Sequence, residues 1–156
     1  VPKRAPNEPL TRVTTGISRQ AVERDGLIGL GDLGYVDEDG YLFVCDRESD
    51  LVISGGVNIY PAEIEHHLMQ YPGVADCAVF GVPDPEFGER LLGLVQPAPG
   101  AVLDLEDAMG WLSSRIARYK IPRGLEMRQA LPRDDNGKIA KRRLRAEFWE
   151  GHARKV

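Results

Sequence analysis

The spacing of apolar residues from residue 50 onward predicts an alternation of short strands and helices. Four β-prone apolar runs bounded by glycine or proline predict strands: 50–54, 74–82, 90–96 and 125–128. Three segments with apolar residues three and four apart predict helices: 61–71, 105–116 and 141–150. Asp104 precedes the second helix and suits its N-cap. This order matches a split βαβ arrangement, so we expect an α+β fold with a small three- to four-stranded sheet and packed helices.

A short β-hairpin is predicted ahead of these elements. The β-prone runs Tyr35–Val36 and Tyr41–Val44 flank the acidic turn 37–40, which ends in a glycine. Residues 1–24 contain three prolines and no sustained periodicity, which predicts irregular or edge structure.

The composition, with 42% hydrophobic and 28% charged residues, is that of one ordinary globular domain or two small ones. No apolar run approaches the roughly 20 residues of a membrane helix, and residues 1–4 do not lead into a signal-peptide core. We therefore expect a cytoplasmic protein. Cys45 and Cys77 lie inside apolar runs, which favours packed, reduced thiols over a disulfide or a metal site.

Charge is divided unevenly along the chain. Residues 1–114 hold 7 basic and 19 acidic residues, whereas residues 115–156 hold 13 basic and 5 acidic ones. A basic end of this kind suits a nucleic acid, a membrane surface or a phosphorylated small molecule, and charge alone does not choose among them.

Three patterns in the sequence are weak evidence for function. Residues 29–34 match G-x-G-x-x-G, but a hairpin follows where a dinucleotide site needs a helix. His66 and His67 are adjacent on a predicted helix, so their side chains diverge by about 100° and do not readily share a metal ion. No nucleophile elbow accompanies the scattered serine, histidine and aspartate residues, which leaves a hydrolase triad without support.

Two segments leave alternatives open on their residues alone. In Ser54–Gly55–Gly56 the glycines interrupt a strong strand, which indicates either a tight hairpin turn or close approach of a ligand to the backbone. Lys138 follows a turn-forming Asp-Asn-Gly run, and is either a solvated surface lysine or a cation able to reach a phosphate.

Seven segments stand in order along most of the chain: 31–35, 37–41, 46–47, 50–63, 81–84, 119–122 and 137–139. Together they resemble the adenylate-forming (AMP-binding) superfamily. The sequence Ile-Ser-Gly-Gly-Val-Asn-Ile-Tyr-Pro at 53–61 is typical of its acyl-CoA synthetase, or fatty-acid–CoA ligase, branch. Each motif is short, but the ordered set is specific.

The resemblance implies a ligase that joins a carboxylate to ATP, releasing pyrophosphate, and then transfers the acyl group from the adenylate to coenzyme A, releasing AMP. Members have a large N-terminal domain and a small C-terminal lid. By resemblance, residues 1–45 are the end of the large domain and residues 46–156 are the lid. The implied ligands are ATP with Mg²⁺, a carboxylic acid and coenzyme A, bound only together with the chain's own large domain; we expect the isolated fragment to be inactive.

Site residues are implied position by position. Asp32 resembles the acid that accepts hydrogen bonds from the ribose, and Arg47 the arginine that reaches the same nucleotide. Asp46 resembles the hinge about which the lid turns. Lys138 resembles the lysine that meets the carboxylate and α-phosphate during adenylation. The loop of Ser54, Gly55 and Gly56 resembles the one that borders the coenzyme A tunnel during thioester formation. No metal ligand is implied.

Other functions compete with this interpretation. A stand-alone interaction module would use the basic C-terminal face for a partner or nucleic acid, although the basic residues are not interleaved with aromatic platforms and no nucleic acid is expected. Within the superfamily, luciferase-like and carrier-protein-loading enzymes share the same lid. The acid that is activated is not readable from this segment.

Overall fold

The chain divides between Asp50 and Leu51 into two units. The structure, a computed structural model, describes residues 11–14, 23–24, 27–36 and 39–151. The division after residue 45 into large domain and lid stays a prediction about domain identity.

The first unit is built around one long strand. Its strands are β1 (Thr11–Thr14), β2 (Glu23–Arg24), β3 (Leu27–Val36) and β4 (Leu42–Arg47). Strand β3 pairs antiparallel with each of the other three. The β3–β4 pair is the predicted hairpin, in which Tyr35 lies opposite Phe43 and the two rings stack 5.1 Å apart.

The G-x-G-x-x-G pattern lies within strand β3 rather than at a strand-to-helix turn. Strand β3 continues into a hairpin with β4, whereas a dinucleotide site needs a helix that begins directly after the glycines. The hairpin that the sequence predicts after this pattern is confirmed. The predicted irregular segment 1–24 includes β1 and β2, and its other residues lie outside the described ones.

The second unit has the predicted α+β composition. Its strands are β5 (Val52–Ser54), β6 (Val57–Ile59), β7 (Val74–Asp84), β8 (Gly88–Pro97) and β9 (Gly124–Met127). Its helices are α1 (Pro61–Leu68), α2 (Leu105–Ser113) and α3 (Lys141–Trp149). Short 3₁₀ turns occupy Glu48–Asp50, in the first unit, and Arg118–Lys120. None of the helices in the described part of the chain has the length and apolarity needed to cross a bilayer.

The strands of the second unit form one sheet in the order β6-β5-β8-β7, with β9 parallel to β8. The described residues of this unit thus form five strands, where the pattern predicts three to four. The additional strand is β6, which turns back onto β5 through a two-glycine turn. The β7–β8 hairpin is longer than predicted: pairing continues to Asp84 opposite Gly88, through Pro83, which β7 tolerates because its other edge has no strand neighbour among the described residues.

Two apolar clusters cover the two faces of this sheet, and strand β7 contributes to both in alternation. Cys77 and Val79 belong to the cluster beneath α1 and α2. Ala78, Phe80 and Val82 belong to the cluster beneath α3. Because successive side chains of a strand point to opposite faces, the two clusters lie on opposite sides of the sheet.

Helix ends differ slightly from the pattern. Helix α1 ends at Leu68 and α2 at Ser113, although Tyr71 and Ile116 still pack on the core beyond them. The predicted cap of α2 is confirmed: the Asp104 carboxylate accepts hydrogen bonds from the N–H groups of Glu106 and Asp107.

Cys77 is buried in the sheet, with 4% of its surface exposed. Burial, reinforced by the charge of Glu65, raises the pKa of the Cys77 thiol to about 12. The thiol therefore stays protonated at neutral pH and packs as a small hydrophobic group, as its sequence environment predicts.

Candidate functional site

The first unit brings Asp32 and Arg47 together. They are register partners on strands β3 and β4, and the Arg47 Nε lies 3.9 Å from the Asp32 Oδ1. The Arg47 side chain is 64% exposed and that of Asp32 34%, so both are open to a ligand. The pair offers carboxylate acceptors beside a guanidinium donor, which suits a molecule that carries both hydroxyls and phosphate.

Asp46 lies one residue earlier, opposite Leu33 near the end of β4. Its Oδ1 accepts a hydrogen bond of 2.8 Å from the backbone N–H of Arg47. The 3₁₀ turn Glu48–Asp50 then leads directly to the division between the two units. Asp46 thus lies a few residues before the division, which suits a hinge. The hinge role of Asp46 stays a prediction.

Gly55 and Gly56 form the turn between β5 and β6. Ser54 pairs with Val57, and the two glycines have φ angles of 56° and 81°. Positive φ at both central positions is the geometry of a type I′ hairpin turn, which glycine adopts without strain. The Gly55 N–H donates to the carbonyl of Phe87, and a Cβ on Gly55 would lie 3.0 Å from the Phe87 ring. The hairpin turn that the two glycines indicate is thus confirmed.

The same turn also borders a pocket of about 740 Å³. The other hypothesis for this segment, close approach of a ligand to the backbone, is therefore compatible with the turn. Ser54 and Gly55 lie at the pocket wall together with two aromatic rings, Phe87 and Tyr119. Three arginines also line it: Arg90, Arg118 and Arg123. An arginine-rich wall beside apolar surface suits an elongated ligand with an anionic end.

An aspartate that the sequence analysis missed organises one side of this pocket. The Asp84 Oδ1 accepts hydrogen bonds from the N–H groups of Glu86 and Phe87, at 3.0 and 2.9 Å. The hydrogen bond from Phe87, helped by that from Glu86 and by the charges of Arg90 and Arg123, holds the pKa of Asp84 below its usual value. The ionised carboxylate thereby fixes the loop that carries Phe87. The signal was the turn-forming Pro-Asp-Pro sequence at 83–85.

A second contact that the sequence does not indicate positions another part of the pocket wall. The Lys120 Nζ lies 2.6 Å from the Glu63 Oε2, which ties the 3₁₀ turn Arg118–Lys120 to helix α1. Arg118 and Tyr119, the two pocket residues of that turn, are held by this ion pair. Local pattern could not reveal it, because the two residues are 57 positions apart.

Lys138 stands on a tight β-turn hairpin between β9 and α3. The Asp134 carboxylate accepts hydrogen bonds from the N–H groups of Asn136 and Lys138, and the Asp134 N–H donates to the Lys138 carbonyl. Arg133 and Ile139 form an isolated bridge that closes the hairpin. Lys138 is exposed, and within residues 39–151 its ammonium group has neither a hydrogen bond nor an ion pair. Lys138 is therefore an exposed cation on a hairpin that is fixed by hydrogen bonds.

The structure places Lys138 and the pocket on opposite sides of the sheet. Ile59 and Leu91 of the pocket wall belong to the cluster beneath α1 and α2. Ile139, next to Lys138, packs on the cluster beneath α3. The two predicted features of the second unit therefore do not form one site, and Asp32, Arg47 and Asp46 lie in the first unit.

Comparison with known families agrees with the resemblance in the sequence. Residues 63–138 match the model of the AMP-binding enzyme C-terminal domain. This part of the chain is similar to that domain family. The Gly55 turn precedes the matched range, and Lys138 is its last residue.

Similar proteins include named ligases. The chain is 49% identical over 127 residues to a feruloyl-CoA synthase of an Amycolatopsis species. The aligned region covers 81% of this chain and 26% of that protein. It is 42% identical over 132 residues to a long-chain-fatty-acid–CoA ligase of Bacillus subtilis, covering 85% of this chain and 24% of that protein. The chain thus spans about a quarter of the length of these relatives.

A solved structure has the same fold. ATP-bound MatB from Rhodopseudomonas palustris superimposes with a TM-score of 0.77 at 36% identity, over 86% of this chain and 27% of that one. The chain is therefore similar to part of this structure in both sequence and fold.

Proposed function

We propose that the chain is the C-terminal part of an ATP-dependent carboxylate–CoA ligase, an acid–thiol ligase that works through an acyl-adenylate. The observation that carries the proposal is the separation of its two features onto opposite faces of one sheet. A lid that serves two half-reactions needs two working faces, one presented in each. Asp46, ahead of the unit boundary, is the proposed hinge.

In the adenylation step, Lys138 supplies a mobile positive charge to the carboxylate and the α-phosphate of ATP. Negative charge crowds there in the transition state, so a positioned cation is worth about 3 kcal/mol. Asp32 accepts hydrogen bonds from the ribose hydroxyls, and Arg47 contacts the same nucleotide. Mg²⁺ accompanies ATP, and we assign it no ligand in this chain.

In the thioester step, the turn of Ser54, Gly55 and Gly56 borders the path of coenzyme A. The pocket beside it fits this ligand, because Arg90, Arg118 and Arg123 are suited to phosphates and the aromatic wall to the pantetheine chain. Absence of a side chain at Gly55 leaves room for a slender thiol arm. The protein's own large N-terminal domain supplies the rest of both sites, and fatty or related hydrophobic acids are the substrate class. We propose that the protein acts in the cytoplasm, where ATP and coenzyme A are available.

The first experiment is ATP–pyrophosphate exchange by the full-length protein with a panel of carboxylic acids, comparing Lys138→Ala with the unmodified protein. We expect exchange to fall by at least about a hundredfold, from the ~3 kcal/mol above. Transfer of the acyl group from a supplied acyl-adenylate to coenzyme A should persist. Undiminished exchange would remove Lys138 from catalysis and favour an interaction module that uses the basic C-terminal face.

A further inference from the structure

Arg133 makes a two-sided contact at the base of the Lys138 hairpin. Its Nη2 lies 2.5 Å from the Oδ2 of Asp76, and its Nη1 donates a hydrogen bond of 2.9 Å to the carbonyl of Gly137. Gly137 immediately precedes Lys138. One guanidinium group therefore links a carboxylate near the start of strand β7 to the peptide group that carries Lys138.

Within residues 133–138, the other polar contacts to described residues are internal to the hairpin. The flanking residues are anchored separately: the Leu131 N–H donates to the Gln96 Oε1 at 3.0 Å, and the Lys141 Nζ pairs with Glu65. Asp134 caps the turn, and the N–H of Ala140 donates to the carbonyl of Pro132. These bonds give the hairpin its shape but do not orient it on the sheet. Ile139 packs on the cluster beneath α3, and apolar contact of this kind is not directional. Among the described residues, the Asp76–Arg133 pair is the directional link that joins residues 133–138 themselves to the sheet.

Asp76 is itself held in place. Its Oδ1 accepts a hydrogen bond of 2.9 Å from the N–H of Cys77, and its side chain is 23% exposed. Arg133, 46% exposed, spans the distance with a planar group whose two outer nitrogens diverge in a fixed geometry. A lysine at this position keeps the charge but loses the fixed pair of donors.

We propose that Asp76 and Arg133 are positioning residues for Lys138, acting through the carbonyl of Gly137. This inference rests on the proposed function, in which Lys138 assists adenylation. The pair fixes the backbone from which Lys138 extends, so that its ammonium group reaches the reacting phosphate from a defined origin. Misplacement by about 1 Å is enough to cost a reaction up to a hundredfold.

The structural half of the proposal is tested in the full-length protein by amide hydrogen exchange. Arg133→Lys and Asp76→Asn should each raise the exchange rates of the Gly137 and Lys138 amides about twofold to fivefold, the range expected for a partly exposed ion pair. Asp76→Asn keeps an oxygen acceptor for the Cys77 N–H. Glu147→Gln is the matched control. It removes from α3 an exposed carboxylate that pairs with Arg128, and it should leave the exchange rates of the Gly137 and Lys138 amides unchanged. Unchanged rates in both test variants would overturn the proposal.

The functional half is tested in the full-length protein by pyrophosphate exchange. Arg133→Lys should lower kcat about tenfold with the KM for ATP unchanged, and should leave transfer from a supplied acyl-adenylate intact. Combined with Lys138→Ala, it should cause no further loss, because a positioning residue has nothing left to position. Additive losses in the double variant, or an unchanged kcat in Arg133→Lys, would overturn the proposal.

Failure of the proposed function is distinguishable from failure of this inference. If Lys138→Ala exchanges pyrophosphate normally, the function assigned to Lys138 is wrong and the catalytic role of Asp76 and Arg133 falls with it. If Lys138→Ala is impaired but Arg133→Lys is not, only the positioning role is wrong.

Discussion

At the scale of single residues, Gly55 shows why one position serves two purposes. Its positive φ makes the β5–β6 turn, and its missing side chain leaves room beside Phe87 at the pocket wall. Both needs favour glycine, so the residue type alone could not separate the turn from the ligand site. The contact with Phe87, 32 residues away, establishes that the turn also borders a pocket.

Gly55→Ala is expected to destabilise the second unit by about 1–2 kcal/mol, because an L-residue is strained at this φ. Contact of the new Cβ with the Phe87 ring adds to this cost. Urea unfolding of Gly55→Ala, Phe87→Ala and the double variant measures the second contribution as a coupling free energy of about 0.5–1 kcal/mol. Strictly additive losses would show that the ring moves aside at no cost.

At the scale of elements, capped ends and turns determine how the segments begin and end. Asp104 caps α2 as the sequence predicts, and the Asp84 carboxylate organises the β7–β8 turn, which lies between the predicted strands 74–82 and 90–96. Both are local Asp-to-backbone contacts. Only Asp104 directly precedes a segment with helical spacing, so the sequence predicts the cap of α2 but not the contacts of Asp84.

Asp104→Ala should lower the free energy of unfolding by about 1 kcal/mol, since two N–H groups of the first turn of α2 lose their acceptor. Asp104→Asn is the matched control, because its side-chain oxygen still accepts while the charge is removed. Chemical denaturation should place the asparagine variant closer to the unmodified chain than to the alanine variant. Equal losses would assign the effect to charge at the helix end.

Asp84 is predicted to make stability depend on pH. Its pKa is lower in the folded chain than in the unfolded one, so its contribution is fully present above the ordinary carboxyl range, near pH 4. The contribution is lost as pH falls through the lowered pKa. Denaturation between pH 7 and pH 3 should therefore show a stability difference between the unmodified chain and Asp84→Asn that is largest at neutral pH and shrinks on acidification. A constant difference would contradict this.

At the scale of the whole second unit, Glu65 joins the layers around the edge strand β7. Its Oε1 accepts a hydrogen bond of 2.6 Å from the Val79 N–H, and its carboxylate pairs with Lys141 at 2.8 Å. Glu65 lies on α1, on one face, and Lys141 begins α3, on the other. The pair thus covers part of the open edge of β7 and connects both faces of the sheet.

Removing one partner of this pair should cost about 2 kcal/mol, because each side chain is only 18% exposed and the remaining charge is left without its counterion. Glu65→Gln, Lys141→Met and the double variant, unfolded in urea, should give a double loss smaller than the sum of the single ones. The exposed Arg128–Glu147 pair is the matched comparison, and Glu147→Gln should cost less than about 1 kcal/mol. Similar losses of unfolding free energy at both pairs would mean that burial does not raise the cost of removing one partner.

The sequence by itself determined the α+β class, the order of strands and helices, the β3–β4 hairpin and the Asp104 cap. Each of these depends on residues within a few positions of one another, where spacing, turn residues and caps act directly. It also indicated Lys138 and the Gly55 turn, but only through resemblance to a family, because a lysine beside a turn and a pair of glycines have many ordinary uses.

Only the tertiary structure decided which of these residues share a site. It gathered Arg90, Arg118 and Arg123 around the Gly55 turn, placed Lys138 on the opposite face, and paired Arg133 with Asp76 and Lys141 with Glu65. The partners in the two ion pairs are 57 and 76 residues apart. Such contacts arise from strand order and from which face each side chain occupies, and these depend on packing of the whole sheet rather than on any local pattern.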